Sequence, residues 1–294
     1  MNLIDPLEYH KTITLLRGFF LSRGYIEVPT QSRLSILAAC EDPTTIGSFD
    51  YNGAVWPLPQ TGQMWLEHEL LTHKEYPGVF CQSTSYRQEA NPVPGRHDLI
   101  FPMFEFESRG SIDELMALES ELCQHLGFHS GFEMDSHLDA ARGREDFQFP
   151  SISYESACRK YSTDCIEAEQ EEALCRDYGN VVFLTNFPEK TSPFWNMRRT
   201  DTCANKVDVI IHGIETIGSA ERETDPSIMH DRFLSISNGM YSELLFAHFG
   251  KERVLSELES FLALPMTKRF GGGIGITRLI RALKLNGKFN ESNG

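Results

Sequence analysis

One stretch, residues 270–283, reading FGGGIGITRLIRAL, constrains the fold of this chain most strongly. Four glycines fall in residues 270–275, and Arg278 follows on what the spacing of Leu279, Ile280 and Leu283 predicts to be an amphipathic helix. Two arrangements satisfy the pattern. In the first, a tight turn precedes the helix and the glycines supply unusual backbone angles. In the second, the backbone lies close against a phosphate or nucleotide, and the arginine pairs with phosphate oxygens. Taken alone, the stretch favours the turn.

The chain has 294 residues, enough to bury a substantial core as one large domain or as one domain with an insertion. Hydrophobic residues make up 40% and charged residues 23%, an ordinary globular composition. No apolar run approaches the ~20 residues needed to span a bilayer. The opening MNLIDPLEYHKTI has an acid and a proline where a signal peptide would have a basic stretch and an apolar core. Seven cysteines, with no C-x-x-C pair, argue against a disulfide framework and a zinc ribbon, so a cytoplasmic location is expected. The net charge of −15 repels phosphate backbones, and no block of lysine or arginine offsets it, which leans towards small-molecule substrates.

Along the chain, residues 7–23 read as an amphipathic helix ended by Gly24, followed by a short strand in YIEVPT. Asn52-Gly53 marks a hairpin turn within 49–58, and 62–73 reads as a helix. Residues 78–87 and 100–108 alternate as strands joined by a long polar loop, a place where function commonly sits. Residues 111–128 read as a helix with Ser111 and Glu114 as its capping box. The acidic stretch at about 129–178 is expected to be a small insertion of short helices. Residues 180–188 and 206–219 read as strands, and two helices then precede the glycine stretch. Helices and antiparallel strands mix without a βαβ rhythm, which predicts an α+β fold around one central antiparallel sheet flanked by helices.

Several groups could carry chemistry. Arg87, Glu89, Arg96, His97 and Phe101 surround the hairpin loop and together offer cations, an imidazole and an aromatic face, although each alone suits a solvated loop. Asp208 and Glu215 flank a turn at His212-Gly213 and could share a hard divalent cation, or serve only edge-strand solubility. Arg222 could grip a carboxylate bidentately, or pair on the surface with Glu221 or Glu223.

The chain resembles the catalytic domain of class II aminoacyl-tRNA synthetases of the aspartyl/asparaginyl/lysyl subgroup. RGYIEVPT is similar to the first signature of that family, SYRQE…GRHDLIFPMFEFE to the second and GGGIGITRL to the third, in the family's order. The resemblance covers nearly the whole chain, as a single catalytic domain over 1–294. It implies ATP and Mg²⁺, with Arg87 and Arg278 as catalytic residues on the phosphates. Glu89 would meet the adenine edge, Phe101 would stack on adenine, and Arg96 and His97 would complete the nucleotide site. Gly273 and Gly275 would let backbone lie against ATP. Asp208 and Glu215 match the magnesium-binding acids, and Glu41, Gln63, Arg87 and Arg222 would hold the amino acid, aspartate or asparagine.

Departures bear on which amino acid is used. Leu66 stands where aspartyl enzymes carry a lysine, Met103 replaces a common polar residue, and Thr277 occupies a normally acidic position. The first signature begins almost at Met1, so no anticodon-binding barrel is expected ahead of it. That absence and the charge point to an asparagine synthetase-like amide ligase, with ammonia or another amine attacking the adenylate. Transfer to tRNA or to a protein lysine remains an alternative, as does a non-catalytic regulatory paralogue that binds an amino acid or adenylate. The resemblance also implies a homodimer, expected through residues 10–35 because Leu16, Phe19 and Phe20 would be costly to expose.

Overall fold

The computed structural model describes residues 3–29, 35–37, 42–92, 98–129 and 149–289. Helix α1 (Pro6–Ser22) starts where the Asp5 carboxylate accepts hydrogen bonds from the Leu7 and Glu8 amides, and Gly24 follows its end at φ 76°. Next come β1 (Ile26–Glu27), the hairpin β2 (Ser48–Tyr51) and β3 (Ala54–Pro57), α2 (Gln63–Thr72), β4 (Gly78–Tyr86), β5 (Ile100–Arg109) and α3 (Ile112–His125). Strand β6 (Ser151–Ser153), α4 (Tyr154–Tyr161), α5 (Ala168–Tyr178), β7 (Val181–Pro188), β8 (Arg199–Thr200), β9 (Cys203–Ile211) and β10 (Ile214–Glu221) follow. The chain then forms α6 (Pro226–Ser235), α7 (Met240–Phe249), α8 (Lys251–Leu262), β11 (Arg269–Gly275) and α9 (Ile276–Leu285).

The main sheet runs β1-β4-β5-β11-β10-β9-β7-β6, with β8 added beside β9. Only the outer pairs, β1 with β4 and β6 with β7, are parallel. This is the α+β arrangement expected. Within 129–178, the described part holds not only short helices but also β6, which joins the sheet edge through a register of Ile152 on Leu184. Helix α8 escaped the sequence reading because Gly250, at φ 86°, divides one long apolar-periodic run into two helices.

One sheet face is covered by α1, α3 and α9, whose Leu16, Phe20, Leu115, Leu122, Leu279 and Leu283 are buried against Phe104, Phe106, Val209 and Ile274. The Phe20 ring lies 5.2–5.8 Å from the rings of Phe80, Phe104 and Phe106. The Leu16, Phe19 and Phe20 face, expected to seek a partner subunit, is therefore used inside the chain. Each of the three is no more than 1% exposed, so this face no longer argues for a dimer.

The glycine run is neither a turn nor a loop: β11 is a buried strand between β5 and β10. None of its glycines has a positive φ, so their purpose is space rather than unusual angles. A Cβ on Gly271 would lie 2.1 Å from the Glu107 carboxyl and 2.4 Å from the Phe106 carbonyl oxygen, and one on Gly272 would meet Ser219 at 2.6 Å. Gly271→Ala is expected to destabilise the protein by roughly 2–3 kcal/mol, because a backbone oxygen blocks the methyl as firmly as the carboxylate does. Urea unfolding with an unchanged midpoint would contradict this.

Beneath β9 and β10, Glu119 of α3 is fully buried. Its polar neighbour is the Ser219 hydroxyl, which donates to the Val207 carbonyl oxygen, and no cation pairs with the carboxyl among the described residues. Burial pushes this carboxyl up to about 8 from its ordinary 4.5. Between those values the folded protein holds a proton that the unfolded chain releases, so this group's contribution to stability is lost as pH rises towards 8. Denaturant titrations at pH 5.5 and 8.0 should therefore show a smaller pH loss for Glu119→Gln than for the parent, a difference on the order of a few kcal/mol.

Candidate active site

Opposite the aromatic core, residues of β5, β9, β10 and β11, the start of α2, the segment after β4 and the start of α9 line a cavity of about 350 Å³. Its chemistry runs against the chain's overall charge. Arg87, Lys206, Arg222 and Arg278 line it together with Glu89, Asp98 and Glu215, so four cations face three carboxylates in a protein of net charge −15. With Asp208 alongside, the charges nearly balance, but four cations gathered over one surface offer partners to an anionic ligand.

The structure gathers most of the residues singled out in the sequence. Gln63, Arg87, Glu89, Phe101, Glu215 and Arg222 line the cavity, as do Gly273, Gly275 and Arg278. Asp208 adjoins it: one carboxylate oxygen, Oδ1, would lie 3.6 Å from a Cβ on Gly218, and Glu215 Oε1 2.8 Å from the same point. Glu41, Arg96 and His97 lie outside the described residues. Of the four β11 glycines, Gly273 and Gly275 face the cavity. Gly271 and Gly272 make room for the protein's own side chains, a narrower role than close approach to a ligand.

Arg87 and Phe101 come together because β4 and β5 pair in a long antiparallel register, Ser85 on Phe101. The Arg87 guanidinium lies 5.6 Å from the Phe101 ring centre. At the far end of the cavity, Arg278 stands on the first turn of α9. It donates to the Glu215 carbonyl oxygen at 2.8 Å and lies 3.9 Å from the Glu215 carboxylate.

Glu215 and Arg222 are seven apart, and alternation would place them on opposite faces. A bend at Gly218-Ser219 would be one way to bring them together. The device is instead a β-bulge, because the β9–β10 register shifts between Glu215 and Ile217. One extra residue restores the parity, and β10 then runs without interruption past Gly218.

Arg222 is 2% exposed and held from below. Its Nε donates to Glu107 Oε1 at 2.9 Å, Nη2 bonds the same oxygen, and Nη2 also donates to Gln63 Oε1 at 2.6 Å. The surface pairing with Glu221 or Glu223 is not formed: Glu221 accepts from Asn205, and Glu223 pairs with Arg232. Glu67, fully buried, accepts from Arg269 at 2.8 Å and from Asn196 at 2.6 Å. Burial pushes the Glu107 carboxyl up to about 8 against the pull of Arg222.

Asp208 is likewise pushed up to about 7, first by burial and then by Glu215, with Lys206 opposing. Its Oδ1 is buried without a donor among the described residues. Two converging carboxylates, one with an orphaned oxygen, fit a hard divalent cation that keeps waters and phosphate oxygens as its other ligands.

The sequence reading missed Lys206, Glu67 and Glu107. Lys206 and Asp208 stand two apart on one strand, so a shared face was legible. Glu67 and Glu107 carried no local signal. Leu66, read as a missing pocket cation, is fully buried with Leu70, Val79 and Cys81 beneath α2 and does not line the cavity. Among the described residues no helix is long and apolar enough to cross a membrane.

Comparison with known proteins agrees with this architecture. The chain is 27% identical over 223 residues to the aspartate–tRNA(Asp/Asn) ligase of Methanopyrus kandleri, covering 71% of this chain and 51% of that protein. It is 24% identical over 238 residues to the aspartate–tRNA(Asp) ligase of Thermoplasma volcanium, covering 74% and 53% respectively. This chain thus spans about half the length of those relatives. In fold it is similar to the asparaginyl-tRNA synthetase from Pyrococcus horikoshii complexed with asparaginyl-adenylate, with a TM-score of 0.72 at 20% identity over 94% of this chain and 64% of that one. A putative aspartyl-tRNA synthetase from Leishmania major gives 0.71 at 17% identity, over 94% and 61%. The model of the family "tRNA synthetases class II (D, K and N)" matches residues 8–287, and the chain belongs to that family.

Proposed function

We propose that this protein is an ATP-dependent ligase that activates aspartate or asparagine as an aminoacyl-adenylate and releases pyrophosphate. The observation that carries the reading is the gathering of four cations over one cavity, with a carboxylate pair at one side and a buttressed arginine at its floor, in a chain of this family.

The roles follow from position. Arg87 sits where it can neutralise both the α-phosphate and the carboxylate that attacks it, and Phe101 offers its ring to adenine beside Glu89. Arg278 faces the outer phosphates. Asp208 and Glu215 would hold Mg²⁺, which when bound neutralises phosphate charge. Gln63 and Arg222 would orient the amino-acid side chain. In-line attack on the α-phosphate needs positioning and charge neutralisation more than proton transfer, and the cavity offers those two. Arg96, His97 and Glu41 keep the nucleotide and amino-acid roles that the family resemblance implies.

The expected acceptor, ammonia or another amine, finds no support among the relatives, which are tRNA ligases by name. We take the 3′ end of tRNA as the acceptor. Transfer of radiolabelled amino acid to tRNA, set against amide formation with ammonia, tests this directly.

Arg87→Ala and Arg278→Ala should each lower ATP–pyrophosphate exchange by about 10²–10³-fold while circular dichroism stays unchanged. Near-normal exchange in either variant would remove that residue from the phosphate site. Between the two amino acids, the Arg222 guanidinium favours a side-chain carboxylate over an amide. Calorimetry in the presence of a non-hydrolysable ATP analogue should show aspartate binding at least about tenfold more tightly than asparagine, a difference of ~1.4 kcal/mol. Tight binding of lysine or of a large apolar amino acid would overturn the role of Arg222.

A further inference from the structure

The Asp208–Glu215 pair is not a bare acidic cluster. Lys206 Nζ lies 2.8 Å from Asp208 Oδ2, and the same ammonium sits 3.9 Å over the centre of the Phe187 ring. A carboxylate and a π-face thus hold it in place. On the other side, Arg278 approaches Glu215 at 3.9 Å. Each acid of the pair therefore has a cation of the chain's own beside it, while Asp208 Oδ1 stays buried without a donor among the described residues. A divalent ion approaching that oxygen in the absence of nucleotide meets two positive charges, one of them an ammonium hydrogen-bonded to the other oxygen of the same carboxylate.

We propose that Lys206 is the resident counter-cation of the Asp208–Glu215 pair and keeps divalent metal out until nucleotide phosphates arrive, so that metal and nucleotide bind together. This rests on the assignment of Asp208 and Glu215 as metal ligands given above. The phosphates act twice: they draw Arg278 away from Glu215, and they supply the oxygens that a pair of carboxylates lacks. The ammonium also has somewhere to go. Lys206 lines both the main cavity and an adjoining one of about 490 Å³, walled in part by Phe187 and Tyr154. Swinging about its own stem would carry the charge off Asp208 without moving the strand. Lys206 is in this sense a positioning residue for the metal, acting through Asp208.

Mn²⁺ binding followed by electron paramagnetic resonance tests the proposal without turnover. Without nucleotide, the parent protein should bind Mn²⁺ weakly, and Lys206→Met should bind it at least tenfold more tightly. That gain should vanish when Asp208→Asn is added, and Lys206→Arg should behave as the parent. With a non-hydrolysable ATP analogue, the parent and Lys206→Met should converge. Lys206→Gln, which keeps a polar head without the charge, gives the same reading should the methionine variant not fold. Equal Mn²⁺ affinity in the parent and Lys206→Met, with Asp208→Asn still weakening Mn²⁺ binding in the presence of the analogue, would overturn the role of Lys206 and leave the metal assignment standing. If Asp208→Asn in the parent background leaves Mn²⁺ binding with the analogue untouched, Asp208 is not a ligand, and both readings fall.

Discussion

Two buried carboxylates, Glu67 and Glu107, sit beneath the cavity floor and are each gripped by an arginine, Arg269 and Arg222. Charges removed from water in this way are costly unless every one is compensated, and loss of one partner leaves the other exposed to the full desolvation penalty. That requirement shapes the neighbourhood. Gly271 lacks a side chain because the Glu107 carboxyl occupies the space. Asn196 turns inward to satisfy Glu67, and Gln63 completes the partners of Arg222. The outcome is a guanidinium whose position is set before any ligand arrives. Pre-organisation of this kind lowers the ordering cost of binding.

Above that floor, geometry depends on sheet register. Because β4, β5, β11, β10 and β9 are contiguous and antiparallel, groups far apart in the chain meet over one surface. Gly218 lies opposite Asp208 and Gly273, so the middle of the cavity has backbone where side chains would otherwise stand. The bulge at Thr216 then turns Glu215 towards the same side as Arg222. Without the bulge, plain alternation through Thr216 would send the acid into the apolar layer beneath and leave Asp208 alone.

Charge is segregated rather than absent. In a chain of net charge −15, four cations gather on the sheet face away from the aromatic core, where they stand close to carboxylates. The whole-chain charge therefore says little about the cavity. It led towards ammonia as acceptor, whereas the relatives of the chain are tRNA ligases. Net charge averages over the molecule, and recognition responds to the local field.

Much of the chemistry was legible in the sequence because it rests on local pattern. The capping box at Ser111 and Glu114, the Asn52-Gly53 turn and the strands at 78–87 and 100–108 each record a short-range preference, and all formed, although β4 and β5 are buried in consecutive runs rather than alternately. The ordered signatures named the family and brought Arg87, Glu89, Phe101 and Arg278 to attention. What the sequence by itself could not decide is which residues oppose one another across strands. Leu16, Phe19 and Phe20 form an apolar stripe whether they face a partner or Phe80, Phe104 and Phe106. Glycines that permit a ligand and glycines that permit Glu107 are identical letters. The pairing of Glu107 with Arg222, 115 residues apart, is created only when the sheet closes around β11. Helical and turn propensities act over a few residues, while ion pairs and cavities are set by long-range register, and only the tertiary structure contains that.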